Sequence, residues 1–484
     1  MKICMVSSES VPFSKSGGLA DVVGALSTAL AALGDDIRVI LPLYGSIDAS
    51  AFKKLDIIVP VSLFSKREEV AFRSVTLDKV IFYFVDHPFY TERGGIYGDT
   101  AHAPYDDNLV RYTLLDKAAM ALVKALGWKP DVMHCHDWTT GFIPYLMKTS
   151  GDDFWSSTKS VMTIHNLAYQ GEFSRLDLLG CDIEPDPRLF GGPAPSKRTN
   201  MLKSGLEFGD LLSTVSPTYA KEIQSAEYGC GLDSLLRQRS ADLVGIINGI
   251  DYEEWDPQSD GFMKYHFSAD DLRGKIRTKA QIQEYFSLKV DPSIPLFSMI
   301  SRLASQKGFV ELLEGSPSAL EQMLDDHPMQ MIVIGTGDAH IERQLTELGR
   351  RHPNLSVNIL FSNKLAHLVE AGSDFFLMPS RYEPCGLNQL YSLRYGTIPV
   401  ARRTGGLGDS IIDLDENNTE GTGILFDQLT GHGILEAVGR AIAWWEQGEE
   451  IMRTIQRRAM QWDSSWNHSA TLYRELYASN KRRM

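Results

Sequence analysis

The chain reads Ser16-Gly17-Gly18-Leu19-Ala20-Asp21 near its start and Thr404-Gly405-Gly406-Leu407-Gly408-Asp409 near its end. Each stretch follows a predicted strand and precedes a predicted helix. Paired glycines at such a turn let the backbone approach a ligand closely, and the start of a helix offers unpaired N–H groups to an anion. One copy alone is equally consistent with a simple tight turn. Two copies, one in each half, favour two similar domains whose glycine loops face each other across a cleft.

Apolar and β-branched runs recur along the chain with helical patterns between them, which is typical of parallel βαβ units rather than hairpins. The rhythm breaks between Gly249 and about Pro295, and this stretch is interpreted as the crossing between two domains. We therefore predict an α/β fold with two doubly wound domains. The predicted strands are Lys2–Ser8, Ile37–Leu41, Val80–Val85, Asp131–Cys135, Ser160–Ile164, Leu212–Val215, Leu296–Ser301, Met331–Ile334, Val357–Phe361, Phe375–Pro379 and Ile398–Ala401.

The composition is that of an ordinary globular protein. Its 484 residues favour two or three domains, and 43% hydrophobic with 23% charged residues excludes a disordered, collagenous or coiled-coil chain. The 48 basic and 62 acidic residues give a net charge of −14, which disfavours a nucleic-acid partner because such proteins need clustered Lys and Arg. No apolar stretch is long enough to cross a membrane, and five scattered cysteines favour a reducing, cytoplasmic location.

A basic pair marks a candidate anion site. The chain has neither G-x-G-x-x-G nor G-x-x-x-x-G-K-[ST], which disfavours an NAD dehydrogenase or a P-loop NTPase. Arg302 and Lys307 nonetheless lie five positions apart on a loop directly after a predicted strand, where open α/β sheets bind ligands. Arg302 can contact two phosphate oxygens at once, and Lys307 adds a mobile point charge. A basic pair in a loop is often only solvated, but this position favours a small anion.

Further polar residues follow other predicted strands. Glu383 suits sugar hydroxyls or a developing positive charge, although it could instead cap the helix that follows. His134 and His136 share one face of a strand that ends before Asp137, but no third ligand with suitable spacing is apparent, which disfavours a metal site. His165 ends another strand, at the edge where polar ligand contacts gather.

An ordered set of motifs resembles one known family. Each motif is weak alone, whereas the full set in this order is highly specific. The chain is similar to the bacterial, ADP-glucose-dependent glycogen synthases of the starch synthase family. The motifs are Lys15-Ser16-Gly17-Gly18-Leu19-Ala20-Asp21, His136-Asp137-Trp138, Thr163-Ile164-His165-Asn166, Thr214-Val215-Ser216-Pro217-Thr218-Tyr219-Ala220, Asn248-Gly249-Ile250-Asp251, Ser301-Arg302-Leu303, Gln306-Lys307-Gly308, Glu383-Pro384-Cys385-Gly386-Leu387 and Arg403-Thr404-Gly405-Gly406-Leu407.

The resemblance implies a GT-B fold, in which two Rossmann-like domains face each other across a cleft that holds the active site. Residues 1–245 would form the domain on the glucan acceptor side, with a C-terminal helix at about 462–484 packing back on it, and residues 246–461 the domain on the nucleotide-sugar donor side. The implied reaction is retaining transfer of α-D-glucosyl units from ADP-glucose to the non-reducing end of glycogen or another α-1,4-glucan, with release of ADP. It implies no cofactor, no metal, no nucleic acid and no membrane partner.

The resemblance also implies roles for single residues. Lys15, Arg302 and Lys307 would hold the diphosphate, His165 would contact the transferred glucose, and Glu383 would contact its hydroxyls. Phe361 would offer a face for purine stacking, and Asp137 would lie near the reacting carbon or the acceptor. The implied catalytic residues are Asp137, His165, Arg302, Lys307 and Glu383, and the implied substrate-binding residues are Lys15, Gly17, Gly18, Asp21, Asn166, Asn248, Phe361, Cys385, Gly386, Leu387, Tyr391, Thr404, Gly405 and Gly406.

Two departures from the family pattern concern the donor site. Many retaining GT-B transferases carry a second glutamate eight residues after the first, where this chain has Tyr391. Ser362 and Asn363 replace a more acidic loop after Phe361, so the preference for ADP over UDP stays open. The mechanism is open between double displacement, with Asp137 as nucleophile, and a front-face ion-pair route. We favour the front-face route because the motifs supply only cations at the leaving group.

Two other functions are alternatives at this stage. One is a GT-B phosphorylase or a nucleotide-sugar epimerase, of which the phosphorylase would require pyridoxal phosphate on a lysine. The other is a non-catalytic glucan-binding scaffold. Such a relic should have lost the cations or the carboxylate of the site, whereas Lys15, Arg302, Lys307 and Glu383 are all present.

Overall fold

A computed structural model describes residues 1–99, 103–191 and 198–479 of the chain. The chain divides into two compact units: unit 1 comprises Met1–Asn248 and the chain from Trp466, and unit 2 comprises Gly249–Ser465. These boundaries lie a few residues after those expected from the sequence, at 245 and 461. Each unit has its own central sheet.

The main sheet of unit 1 contains nine strands in the order β12-β11-β7-β6-β1-β2-β5-β4-β3. All neighbouring pairs from β12 to β5 are parallel. Parallel sheets carry helices on both faces, which is why most of these strands consist largely of apolar residues. Three short strands form a second sheet in the order β8-β10-β9. The strands are β1 Lys2–Val6, β2 Asp36–Pro42, β3 Lys53–Leu63, β4 Lys66–Leu77, β5 Val80–Asp86, β6 Val132–His136, β7 Lys159–Ile164, β8 Glu172–Phe173, β9 Phe190–Gly191, β10 Arg198–Asn200, β11 Leu211–Thr214 and β12 Leu243–Gly245.

Helices alternate with these strands. Several begin at residues that satisfy the first free N–H groups; Ser216, for example, accepts from Tyr219 N–H with Pro217 at the first helical position. The helices of unit 1 that precede residue 249 are α1 Gly18–Ala32, α2 Pro88–Thr91, α3 Asn108–Ala125, α4 Ile143–Thr149, α5 Met201–Phe208, α6 Pro217–Glu222 and α7 Asp233–Gln238.

The expectation that the strands avoid hairpins is wrong at one edge of unit 1. Strands β3 and β4 form a long antiparallel hairpin that pairs with β5. Its turn residues, Phe64 and Ser65, have φ angles of 52° and 56°. Two-residue turns with positive φ at both positions usually contain Asn or Gly, so the sequence carries no turn signal there.

Unit 2 has a six-stranded, fully parallel sheet in the order β15-β14-β13-β16-β17-β18. This is the strand order of a Rossmann fold. The strands are β13 Leu296–Ile300, β14 Gln330–Ile334, β15 Leu355–Asn358, β16 Phe375–Met378, β17 Ile398–Arg402 and β18 Ile424–Phe426. The helices are α8 Arg273–Tyr285, α9 Phe309–Leu313, α10 Ala319–Asp326, α11 Ala339–Arg351, α12 Asn363–Gly372, α13 Asn388–Arg394, α14 Gly405–Ser410, α15 Gly431–Trp445 and α16 Glu449–Gln461.

A final helix, α17 (Trp466–Ala478), returns to unit 1. Its buried face, which includes Trp466, Tyr473 and Tyr477, joins the core that α1 and β1 also form. Lys159 on β7 donates through Nζ to the Tyr477 carbonyl at 2.7 Å. This contact fixes the end of α17 beside the parallel strands of unit 1.

The predicted strands agree with the observed ones to within two residues, except Val357–Phe361. That strand is β15, which ends at Asn358, so Phe361 lies in the loop before α12. No helix in the described ranges is long and apolar enough to span a bilayer.

Candidate active site

The parallel part of the main sheet in each unit has a switch point, where the order of the strands reverses. In unit 1 the reversal lies between β1 and β6, and in unit 2 it lies between β13 and β16. Open α/β sheets bind ligands at the carboxyl ends of the strands beside such a switch point. The loops after these four strands carry most of the residues that the motifs single out, which makes the switch point of each unit a candidate ligand site.

At the candidate ligand site of unit 2, the central feature is an ion pair. Lys307 Nζ lies 2.6 Å from Glu383 Oε2, with side-chain exposures of 20% and 8%. Ser380 Oγ donates to the same carboxylate oxygen at 3.0 Å. The two residues predicted to hold a diphosphate and a sugar are therefore in direct contact. Helix α13 starts after Leu387 without a side-chain cap, so the alternative of Glu383 as its cap is not observed.

The loops after β13 and β16 are joined by backbone contacts. Arg381 N–H donates to the Gln306 carbonyl at 2.8 Å, and Gln306 Nε2 donates to the Tyr382 carbonyl at 3.2 Å. Gly308 has a φ angle of +81°, and a Cβ atom there would lie 2.0 Å from the Pro379 carbonyl oxygen. A glycine at 308 is what allows these two loops to touch and brings Lys307 to Glu383.

The second glycine loop of the repeated pattern lies against the Glu383 loop. Gly406 N–H donates to the Glu383 carbonyl at 3.1 Å. A Cβ atom on Gly405 would lie 2.0 Å from the Glu383 carbonyl oxygen, and one on Gly406 would lie 2.1 Å from the Cys385 carbonyl oxygen. These glycines thus admit a neighbouring loop of the protein, whereas the sequence pattern was interpreted as space for a ligand. Thr404 precedes them as the N-cap of α14.

The other predicted residues of unit 2 differ in their exposure and packing. Arg302 is exposed, and its guanidinium has no ion pair among residues 1–99, 103–191 and 198–479. Phe361 is 88% exposed, a high value for an apolar ring and consistent with a stacking surface. Tyr391 is stacked on Trp255 with ring centroids 3.6 Å apart, so one of its faces is used inside unit 2. Leu387 packs on the adjacent core.

Cys385 and Gly386 form the turn into α13. Cys385 is buried, and Gly386 has a φ angle of +73°. Gln389 Nε2 donates to both of their carbonyls, at 2.9 and 3.1 Å. The turn is therefore held by hydrogen bonds from Gln389 on α13.

In unit 1 the first glycine loop is organised by a residue that the sequence analysis missed. Glu9 is buried, and its carboxylate accepts from Ser16 N–H, from Ser16 Oγ at 2.9 Å, from Gly17 N–H at 3.3 Å and from Tyr97 OH at 2.6 Å. Burial raises the pKa of Glu9, and the hydrogen bonds oppose that shift. The loop N–H groups of Ser16 and Gly17 therefore bind an internal carboxylate.

The loop still presents an accessible surface. A Cβ atom added to Gly17 would meet no atom within 4 Å. Lys15 Nζ lies 2.6 Å from Asp21 Oδ1 in the first turn of α1, and both side chains are partly exposed. Gly18 is the first residue of that helix. Lys15 thus lies at the surface, paired with the Asp21 carboxylate.

Asp137 follows β6 in an unusual backbone conformation, with φ 57° and ψ −173°. Such geometry is rare outside glycine and costs on the order of 1–3 kcal/mol. Asp137 Oδ1 accepts from His165 N–H at 2.7 Å, which joins the ends of β6 and β7. Burial raises the pKa of Asp137 to about 7, although hydrogen bonds from the His165 and Asn166 backbone lower it. Strain and a shifted pKa at one residue are typical of a functional site.

Three histidines form a cluster behind Asp137. His136 Nδ1 lies 3.0 Å from His165 Nε2, and the rings of His134 and His136 are 4.0 Å apart on one face of β6, as alternation along the strand predicts. His134 is held by Tyr477 OH at 2.8 Å and Thr163 Oγ1 at 2.6 Å. Burial lowers the pKa of His134 and of His165 to about 3, so both rings are neutral.

Two predicted asparagines lie in unit 1. Asn166 accepts from Ala168 N–H at 3.1 Å, which forms a short turn after β7. Asn248 is buried, and its Oδ1 has no hydrogen-bond partner in the part of the chain that the structure describes. Unpartnered polar atoms of this kind are uncommon in a protein interior. Among the described residues, no group of three or more His, Cys, Asp or Glu side chains is arranged so that it could hold a metal ion, and this includes the three histidines.

Gly308 and Gly17 give a matched pair for mutation. Gly308→Ala should lower the free energy of unfolding by about 1–3 kcal/mol, because a side chain there is strained and meets Pro379. Gly17→Ala should change stability by less than about 0.5 kcal/mol and weaken turnover, because its side chain would enter only the space over the loop. Denaturant unfolding and a rate assay measure both. A stable Gly308→Ala variant would contradict the contact, and a fully active Gly17→Ala variant would remove Gly17 from the site.

Comparison with known proteins fits this arrangement. A family model described as starch synthase catalytic domain matches residues 2–238, and one described as glycosyl transferases group 1 matches residues 282–462. The chain is 41% identical to a glycogen synthase of Treponema denticola over 481 residues, covering 99% of this chain and 98% of that protein. The chain belongs to the starch synthase and glycogen synthase family. It is therefore a glycosyltransferase with the GT-B fold.

Other members of the family agree. A glycogen synthase of Anaeromyxobacter is 43% identical over 483 residues, covering 99% of both chains. The catalytic domain of starch synthase IV from Arabidopsis thaliana, solved with ADP and acarbose, is 33% identical with a TM-score of 0.89 and 98% coverage of both chains. A sucrose-phosphate synthase of Thermosynechococcus elongatus, at 16% identity and a TM-score of 0.59 with 98% of this chain covered, shares the fold alone.

Proposed function

We propose that this member of the family is a glycogen synthase that transfers α-D-glucosyl units from ADP-glucose to the non-reducing end of an α-1,4-glucan, with retention of configuration and release of ADP. The full-length similarity to proteins named glycogen synthase supports the reaction. The ADP bound in the Arabidopsis relative supports the nucleotide. We further propose that unit 2 binds the nucleotide sugar, that unit 1 binds the glucan, and that the protein acts in the cytoplasm.

The Lys307–Glu383 ion pair is the observation that carries the proposal. Cleavage of a glucose–phosphate bond places negative charge on the leaving diphosphate and positive charge on the sugar. Lys307 and Glu383 offer one charge of each sign, 2.6 Å apart, at the switch point of unit 2. In this proposal Lys307, Arg302 and Lys15 stabilise the diphosphate, and Glu383 contacts the sugar. Charges fixed in advance in this way supply a large part of many rate enhancements.

The reaction proceeds by a front-face route in this proposal. The bond between C1 of glucose and the diphosphate oxygen breaks, a bond forms between C1 and the acceptor 4-hydroxyl oxygen, and the hydroxyl proton moves to the departing diphosphate. Asp137 Oδ1 already accepts a hydrogen bond from His165 N–H, and its raised pKa makes it a poor permanent anion. These features suit a residue that shapes the sugar pocket better than a covalent nucleophile.

Incorporation of labelled glucose into glycogen tests the proposal. ADP-glucose and UDP-glucose are supplied in parallel, with a metal chelator present throughout. We expect strong transfer from ADP-glucose alone, undiminished by the chelator. Transfer from UDP-glucose alone would overturn the assigned nucleotide, and no transfer from either donor would favour the non-catalytic scaffold. A coloured protein with the absorbance of pyridoxal phosphate would favour a phosphorylase.

A further inference from the structure

The tautomer of His165 depends on a neighbour that is buried too deeply to touch a substrate. His165 Nε2 lies 3.0 Å from His136 Nδ1, and His136 is fully buried on β6. A single proton lies between these two nitrogens, so one ring donates and the other accepts. Burial lowers the pKa of both rings, so neither carries a second ring proton near neutral pH.

Two arrangements satisfy this contact. In the first, His136 Nδ1–H donates to His165 Nε2, and the proton of His165 is on Nδ1. In the second, His165 Nε2–H donates to His136 Nδ1, and the proton of His136 is on Nε2. The two arrangements differ in what the free nitrogen of His165 offers to a ligand: a donor in the first and an acceptor in the second.

His136 Nε2 decides between them. This atom is buried and has no hydrogen-bond partner in the described part of unit 1. The second arrangement would leave a buried N–H group unpaired, and orphaned buried N–H groups are rarer in proteins than under-used acceptors. The first arrangement leaves only a lone pair unused, so it is the favoured one.

We propose that His136 is a positioning residue that fixes the tautomer of His165, so that His165 presents Nδ1–H as a hydrogen-bond donor to a hydroxyl of the transferred sugar. The sugar in this statement rests on the proposed function, whereas the tautomer does not. A neutral donor recognises a hydroxyl without competing with the cations for the diphosphate. Neighbours that fix the tautomer of a functional histidine are known to matter for activity in other sites.

The ring of His136 is itself held in place. The His134 ring lies against it, tilted by 38° with the ring centroids 4.0 Å apart. His134 is itself held by Tyr477 OH on α17 and by Thr163 Oγ1 on β7. The C-terminal helix therefore contributes to holding the cluster, through Tyr477. Rotation of the His136 ring would require movement of these neighbours.

Nitrogen NMR of the protein labelled with ¹⁵N-histidine tests the tautomer without any assay. We expect a protonated Nδ1 and an unprotonated Nε2 for His165 at pH 7, assigned by the signals that disappear in His165→Asn. The reverse pattern, or a charged imidazolium, would overturn the proposal. Because no substrate is present, this result does not depend on whether the assigned donor sugar is right.

Two substitutions of similar size separate positioning from packing. His136→Asn keeps an N–H group near the place of Nδ1 and should retain kcat within about fivefold, whereas His136→Leu should lower kcat about 10–100-fold. Equal losses in the Asn and Leu variants would show that His136 acts by packing alone.

Donors that each lack one sugar hydroxyl provide the last check. In the wild type, one of them should react about 10–100-fold more slowly than ADP-glucose because the His165 contact is lost. In His136→Leu that penalty should fall to less than about threefold. An unchanged penalty in the variant would overturn the role of His136 in presenting the donor.

Discussion

Replacing Lys307 with alanine is expected to lower kcat by about 100-fold or more, the usual effect of removing one fixed group that stabilises transition-state charge. The structure adds a second consequence. Glu383 is 8% exposed and would lose its partner at 2.6 Å, which leaves Ser380 Oγ as the hydrogen-bond donor to that oxygen among the residues that the structure describes. Leaving a buried charged group unpaired costs about 1–3 kcal/mol or more, so the variant should also unfold at lower denaturant concentration. Rate assays and denaturant unfolding measure the two effects separately.

A double variant distinguishes the two effects of Lys307. In Lys307→Ala with Glu383→Gln the buried group is neutral, so most of the lost stability should return while kcat stays low. Lys307→Arg keeps the charge and should lose less activity than the alanine variant, although its planar guanidinium fits the site differently. Recovery of both stability and kcat in the double variant would contradict a catalytic role for Lys307.

The alternation of strands and helices is the part of the fold that the sequence predicts best. Buried parallel strands are short apolar runs, and such runs mark β1, β13 and β16, whereas β6 carries two buried histidines. Because ligands bind at the carboxyl ends of such strands, the sequence alone is enough to assign residues such as Lys307 and Glu383 to one site. Their contact across two loops could not be predicted in this way, since it depends on the close approach at Gly308.

The β3–β4 hairpin escaped the sequence analysis for a physical reason. Strand β3 is an edge strand whose residues alternate between exposed and buried only in its second half, and its turn uses Phe64 and Ser65 at positive φ. Neither residue is typical of that turn type. The pairing of β3 with β4, and of β4 with β5, overrides the local conformational preference of these two residues.

Glu9 shows what motif analysis leaves out. Its carboxylate is seven residues before Ser16, and Tyr97 joins it from 88 positions away. Nothing in the spacing of a lone glutamate predicts such a cradle. The same limit explains the two glycine loops: they share one sequence pattern, yet the space beside Gly17 is open and the space beside the equivalent Gly405 is filled by the Glu383 carbonyl.

Replacing Asp137 with asparagine should lower kcat about 10²–10³-fold if its carboxylate contacts the reacting sugar. Because the pKa of Asp137 is about 7, wild-type activity should also fall below pH 7 if the ionised form is the active one. The residual activity of Asp137→Asn should lack that fall. The pKa of Glu9 is also raised, and the negative charge of Glu9 raises the pKa of Asp137. Glu9→Gln is therefore tested in parallel.

Asp137→Asn should lower kcat but raise the stability of the fold at high pH. A carboxyl whose folded pKa exceeds its unfolded value of 3.8 binds more protons in the folded state, so it destabilises the protein as pH rises from about 4 through 7. Asp137→Asn removes this penalty and should melt above the wild type at pH 8, with a smaller difference at pH 5.

Asp116 on α3 is a matched control, since burial also raises its pKa and its carboxylate accepts from Phe142 N–H at 3.0 Å. Asp116→Asn should show the same trend in melting temperature with near-normal kcat. Full activity of Asp137→Asn, or a lower melting temperature at pH 8, would show that burial and strain at Asp137 serve the fold and not the reaction.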